Sequence, residues 1–171
     1  MSSPLITMTA ITGKPSREEI FSYLKGMRDN SIGGIMLYPR SGCEVEYLSE
    51  DWFSVVESFL FCAKTLGMDV WLYDDFNWPS GDAGGRITVN EKHRLASVMV
   101  EGVNMGRISY ATVNNGSLFG EKYFANLLSD EAADRFIDLT HEQYYQRFGE
   151  YFGCPFDPAK CPPACYFDQR G

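Results

Sequence analysis

The strongest constraint on this chain's fold is an alternation of continuous apolar runs with helical apolar stripes. Leu5–Ala10, Gly33–Pro39 and Met68–Tyr73 are short and largely apolar, as strands are. Between the first two, Ile20, Tyr23, Leu24 and Met27 recur at helical spacing. Between the second two, Trp52, Val55, Val56, Phe59, Leu60, Ala63 and Leu66 do the same. The punctuation agrees. Ser16 with Glu19 forms a capping box, Ser49 stands where an N-cap belongs, and Gly67 stands where a left-handed C-terminal residue belongs. Strand, helix, strand, helix, strand with short connections means βαβ units and a parallel sheet. Unbroken apolar runs predict strands buried on both faces. The second strand is expected to end at Pro39-Arg40-Ser41-Gly42, because proline cannot donate to a ladder.

The middle of the chain reads differently. Leu95–Val103 and Arg107–Val113 look like strands, and Asn114-Asn115-Gly116 holds the Asn-Gly pair favoured in hairpin turns. Residues 95–125 are therefore expected to be a β insertion. A helical region starts at Ser129-Asp130-Glu131, and Thr140-His141-Glu142-Gln143 has the form of a second capping box. Tyr144, Tyr145, Phe148, Tyr151 and Phe152 make an aromatic face suited to core packing. A last apolar run, Ala164–Phe167, ends at Asp168.

Charge narrows the partners. Fifteen Lys and Arg against 23 Asp and Glu give a net charge of −8. Such a chain is a poor match for nucleic acid or an anionic membrane surface. It suits neutral polyols, sugars or cations. Met1–Thr9 lacks the basic and long apolar parts of a signal peptide, so the chain as it stands reads as cytoplasmic. Five cysteines without such a signal read as reduced thiols. Cys154, Cys161 and Cys165 lack paired knuckles and a fourth ligand, so neither a metal nor a cofactor is expected.

The chemistry concentrates at Trp71–Gly85. Asp74 and Asp75 stand at the C-terminal end of a parallel strand, where βα loops gather the sites of such folds. A carboxylate there can act as acid, nucleophile or hydroxyl ligand. Trp78 offers a flat apolar face to a pyranose ring, and Asn77 and Ser80 can address hydroxyls. Adjacent strand residues point to opposite faces, so one of the two aspartates is expected to cap the loop instead. Asx turns use these same residue types, which leaves a purely structural reading open. Gly81-x-x-Gly84-Gly85 lacks the ending of a phosphate loop. Arg40, just past its strand, can grip a carboxylate or a sugar hydroxyl, or serve as a surface ion pair. His93 and His141 have no partner motif and read as isolated, His141 as a solvated surface residue.

Three segments carry a family resemblance: Gly33–Gly42, Tyr47–Trp52 and, most specifically, Tyr73-Asp74-Asp75-Phe76-Asn77-Trp78-Pro79-Ser80-Gly81 within Gly67–Gly85. Together they resemble the opening of bacterial glycoside hydrolases such as the α-L-rhamnosidases of glycoside hydrolase family 106. The likeness covers most of residues 3–153. It implies a TIM-type (β/α) barrel acting on or binding an oligosaccharide, with O-glycosidic bonds hydrolysed by a carboxylate pair. Carried onto this chain, Asp75 is the acid and Asp168 its partner, while Arg40, Asp74, Asn77 and Trp78 line the sugar site. The chain departs from the family twice. Asp75 stands where the family commonly has Glu. Gln169 occupies a family carboxylate position, and an amide cannot carry a catalytic proton.

A closed barrel takes about 250 residues. Strands near 5–10, 33–39, 68–74 and 164–168 make about half of one. Residues 1–171 are thus expected to form a single partial barrel domain with the β insertion inside it. Open barrel edges offer pairing to a second copy. A non-catalytic carbohydrate-binding or self-assembling module, or an inactive truncated fragment, is the alternative.

Overall fold

The computed structural model describes residues 5–77, 80–98, 108–110, 112–114 and 121–152. The chain forms two compact units. The first takes in the chain up to Tyr73 and again from Tyr144; the second runs from Asp74 to Gln143.

The first unit is built on β1 (Leu5–Gly13), α1 (Arg17–Asp29), β2 (Ile32–Cys43), α2 (Glu50–Leu66) and β3 (Asp69–Leu72). The three strands form a parallel sheet in the order β1-β2-β3, so this part of the chain is α/β as its periodicity predicts. The local signals hold. The Ser16 N–H donates to Glu19 Oε2 at 2.8 Å while the Glu19 N–H donates to Ser16 Oγ at 3.3 Å. The Trp52 N–H donates to Ser49 Oγ at 3.1 Å. Gly67 ends α2 in the left-handed region at φ 62°, and the Met68 N–H reaches back to the Ala63 carbonyl at 2.9 Å. These bonds satisfy backbone groups that a helix end leaves without partners.

The sheet corrects one expectation. Its strands are not buried on both faces; they alternate. Thr9, Ile11, Ile35, Leu37 and Pro39 are buried on one side. Ile20, Leu24, Val56 and Phe59 of α1 and α2 supply the apolar bulk of the same unit. On the other side Met8, Met36 and Trp71 lie in one register row; Met8 is 50% exposed and the other two are half-buried. Tyr38 and Tyr73 meet edge-on on that side at 4.9 Å. Gly34 belongs to it as well. A Cβ there would sit 3.0 Å from the Asp69 carbonyl and 3.1 Å from Ile6 Cγ1, so the close approach of three strands requires glycine.

The end of β2 corrects another. The strand runs through Pro39 to Cys43, with Pro39 paired to Ile11 and a register shift before Gly13. Partners for β3 run only from Gly34 to Leu37. By Pro39, therefore, β2 has no strand on that side among the described residues, and a missing N–H forfeits no ladder bond.

The second unit carries two short antiparallel pairs. β4 (Ala96–Val98) pairs with β5 (Ile108–Tyr110), and β6 (Thr112–Asn114) pairs with β7 (Glu121–Tyr123). These strands fall in the stretch expected to be a β insertion. α3 (Asp130–Leu139) follows, and α4 (His141–Phe148) leads back to the first unit. There the aromatic stripe packs as core only in part: Tyr144 and Phe148 are buried and Phe53 meets both rings, whereas Tyr145 is exposed and Tyr151 and Phe152 are half-buried. The expected run ending at Asp168 lies outside the described residues. Among the described helices none is long and apolar enough to cross a membrane.

Candidate functional site

The site is built by the loop that leaves β3. The strand ends at Leu72, so Asp74 and Asp75 both stand beyond it and strand alternation no longer sets their directions. Asp75 turns inward and is fully buried. Its Oδ2 accepts the N–H groups of Gly81 at 2.8 Å, Asp82 at 2.7 Å and Ala83 at 3.0 Å. Its Oδ1 accepts those of Phe76 at 2.6 Å and Gly84 at 2.7 Å. A carboxylate has about four lone-pair sites. Five amides fill them.

That convergence needs unusual backbone. Asn77, Gly81, Ala83, Gly84 and Gly85 all have positive φ, from 50° at Ala83 to 114° at Gly81. This is why the segment is rich in glycine and asparagine. Asp82 closes the far side, with Oδ1 accepting the Thr88 N–H at 2.9 Å. Ala83 and Ile87 are fully buried beneath. Burial pushes the Asp75 carboxyl up to about 6, against the opposing pull of the Phe76, Asp82, Gly84 and Ala83 amides.

Asp74 is buried too, and its Oδ1 accepts the Ser80 hydroxyl at 2.6 Å. Its charge also acts on His141. His141 is not the solvated surface residue that its sequence setting suggests. It opens α4 half-buried, with Phe136 edge-on at 5.5 Å and Thr140 Oγ1 2.9 Å from its Nδ1. The Thr140 hydroxyl donates its one proton to the Phe136 carbonyl at 2.7 Å. Nδ1 must therefore donate to Thr140, which puts the lone pair of neutral His141 on Nε2. Burial pulls the His141 imidazole below its usual range, while Asp74 and Glu142 push the other way. The expected capping box at Thr140 is replaced by this arrangement, because Thr140 closes α3 as its C-cap.

Of the residues singled out in the sequence, the structure gathers Asp74, Asp75, Asn77 and Ser80 in one loop of the second unit. Asn77 is buried there with a left-handed backbone. Arg40 is exposed on β2 in the first unit. Trp78 and Asp168 lie outside the described residues. His93 is buried, with its Nε2 3.4 Å from Glu131 Oε1 but not hydrogen-bonded among the described residues. Among the described residues no cluster of His, Cys, Asp and Glu could hold a metal ion.

No family model and no curated protein matches the chain. Among solved structures, one titled as a rhamnosidase from Novosphingobium sp. PP1Y matches with a TM-score of 0.37 and 16% identity. The match covers 46% of this chain and 8% of that one. At that level it assigns neither fold nor activity.

Proposed function

We propose that this chain is a glycoside-binding α/β module of glycoside hydrolase type, a partial (β/α) barrel in which Asp74, bonded to Ser80 and acting by its charge on His141, addresses sugar hydroxyls. The carbohydrate class rests on the resemblance of Tyr73–Gly81 to the opening of those hydrolases. The binding role rests on one observation: both oxygens of Asp75 are taken up by five loop amides. Asp75 then enters as the group that shapes the loop, and Asp74 as the group that meets the ligand. A carboxylate and an imidazole lone pair can between them accept hydroxyl protons of a neutral polyol. Asn77 and Trp78 remain candidates to line the sugar site.

Hydrolysis is the second reading. It needs two carboxylates at a defined separation, with Asp75 and Asp168 as the pair. In that reading Asp75 has to give up an amide before it can hold a proton.

Calorimetric titration with L-rhamnose and its methyl glycoside, beside a panel of nitrophenyl glycosides, tests both. Saturable binding that is lost in Asp74→Asn, with no nitrophenol release, is the expected result. Absence of binding to any sugar overturns the proposal. Turnover abolished by Asp75→Asn while the loop stays folded establishes the hydrolytic reading instead.

A further inference from the structure

We propose that the loop from Phe76 to Gly84 is a nest for one planar carboxylate, that Asp75 is its built-in occupant, and that filling the nest sets Ser80 against Asp74. Asp75 is then a positioning residue. With its side chain removed, an external carboxylate of the right size takes its place.

Four successive amides carry the nest. The N–H groups of Gly81, Asp82 and Ala83 close on Asp75 Oδ2, and that of Gly84 closes on Oδ1. They stand six to nine residues beyond Asp75. An Asx turn reaches only about two residues on, so the loop closes round the carboxylate instead of the carboxylate capping its own turn. Successive amides form such anion-binding concavities where right- and left-handed residues adjoin. Gly81, Ala83 and Gly84 have positive φ, and Asp82 between them does not. Gly81 is constrained twice: its φ is 114°, and a Cβ there would lie 2.8 Å from Leu127 Cδ1.

The donors select the class of occupant. Three amides meet one oxygen and two meet the other, which suits a planar anion with two oxygens. Asp75 is fully buried, so the further oxygens of a tetrahedral phosphate have no place. A carboxamide sets its NH₂ against N–H groups on whichever side it falls.

The nest reaches Asp74 through one peptide link. The Gly81 N–H donates to Asp75 Oδ2 at 2.8 Å, and the hydroxyl of the preceding residue, Ser80, donates to Asp74 Oδ1 at 2.6 Å. Emptying the nest frees Gly81 and, with it, the Ser80 hydroxyl. The consequence for sugar binding rests on the proposed role of Asp74; the nest itself does not.

Titration of full-chain Asp75→Gly with sodium formate tests this, with formamide and phosphate as controls. Hydrogen exchange at the Gly81–Gly84 amides should accelerate roughly a hundredfold in the variant. Formate should restore protection saturably, and neither control should. The carboxyl carbon shift of Asp74, which reports the Ser80 bond, should move in the variant and return with formate. The wild type, its nest filled, should not respond to formate. It should also show through-hydrogen-bond couplings from the five amide nitrogens to the Asp75 carboxyl carbon. Amides that stay protected in Asp75→Gly without formate overturn the proposal. So does a loss that formate fails to restore, whether the loop alone or the whole unit unfolds. Equal rescue by formamide or phosphate, an Asp74 shift that never moves, or absent couplings in the wild type also overturn it. Restored amides beside a wild type that binds no sugar would uphold the nest and remove only the glycoside reading.

Discussion

The indole Nε1 of Trp52 donates to the hydroxyl of Tyr144 at 2.7 Å, with both side chains buried and 92 positions apart in the sequence. The bond ties the first turn of α2 to α4 within the first unit. Tyr47 meets Trp52 edge-on at 5.5 Å, and Phe53 meets Tyr144 at 5.6 Å. Tyr144→Phe keeps the ring and removes only the acceptor. It should destabilise the first unit by about 1–3 kcal/mol, the cost of an unpaired buried N–H. Trp52→Phe should cost more because it also empties volume. Urea unfolding followed by near-ultraviolet dichroism measures both. The double variant should cost less than the sum, since the two residues share one bond.

Asp75→Asn places an NH₂ where a carboxylate oxygen accepts amides. On the Oδ2 side it meets three N–H groups, on the Oδ1 side two. Either orientation sets donors against donors. The loop should lose about 3 kcal/mol of stability. Hydrogen exchange at the amides of Gly81–Gly84 should accelerate accordingly. The wild-type loop should also depend on pH. The folded carboxyl titrates at about 6, above the ordinary aspartate near 3.9. Between those values the folded state binds the proton more readily than the unfolded state. Its contribution to stability is therefore full below about 4 and declines until about 6. Asp75→Asn should remove that slope.

These residues show what a sequence can and cannot carry. Ser16, Glu19, Ser49 and Gly67 were legible because a cap depends on residues three or four apart. The core stripe of α2 was legible for the same reason. Pro39 misled because the length of the neighbouring strand β3, not the proline, decides whether a ladder bond is forfeited. The apolar runs misled about burial because they do not record how many faces are covered. That one of two adjacent aspartates shapes the loop is expected from strand alternation, but β3 ends at Leu72 before either residue. Which one does so depends on where five amides point, and that is set by positive φ values from Asn77 to Gly85. The burial of His141 was not legible because Phe136, which packs on it, and Asp74, whose charge acts on it, come from the preceding helix and from a distant loop.

Gly34→Ala tests the close approach of the three strands. The new Cβ would lie 3.0 Å from the Asp69 carbonyl and 3.1 Å from both Asp69 Cβ and Ile6 Cγ1. Two of those neighbours are fixed to strand β3, so the strands must separate. Overpacking of this kind costs about 1–3 kcal/mol. The expected result is a lowered urea midpoint for the first unit with Asp75-loop exchange unchanged. Gly26→Ala is the control, because a Cβ there meets nothing within 4 Å and helix propensity improves. Equal midpoints for the two variants would show that the sheet is less tightly spaced than described.

His141 should titrate below an ordinary histidine, because burial disfavours the imidazolium more than Asp74 and Glu142 favour it. The unfolded chain then takes up this proton first as pH falls. His141 thus contributes stability that is full above about 6.5 and is lost as pH drops through its folded value. That trend runs opposite to the one for Asp75, and the two are separable by variant. Proton NMR of the His141 ring gives its titration directly. In Asp74→Asn the neighbouring negative charge is gone, so the His141 midpoint should fall further. Thr140→Val removes the acceptor for Nδ1 and should release the ring to the other tautomer, visible in its nitrogen shifts. A His141 midpoint unmoved by Asp74→Asn would break the link between the imidazole and the carboxylate on which the proposed sugar site depends.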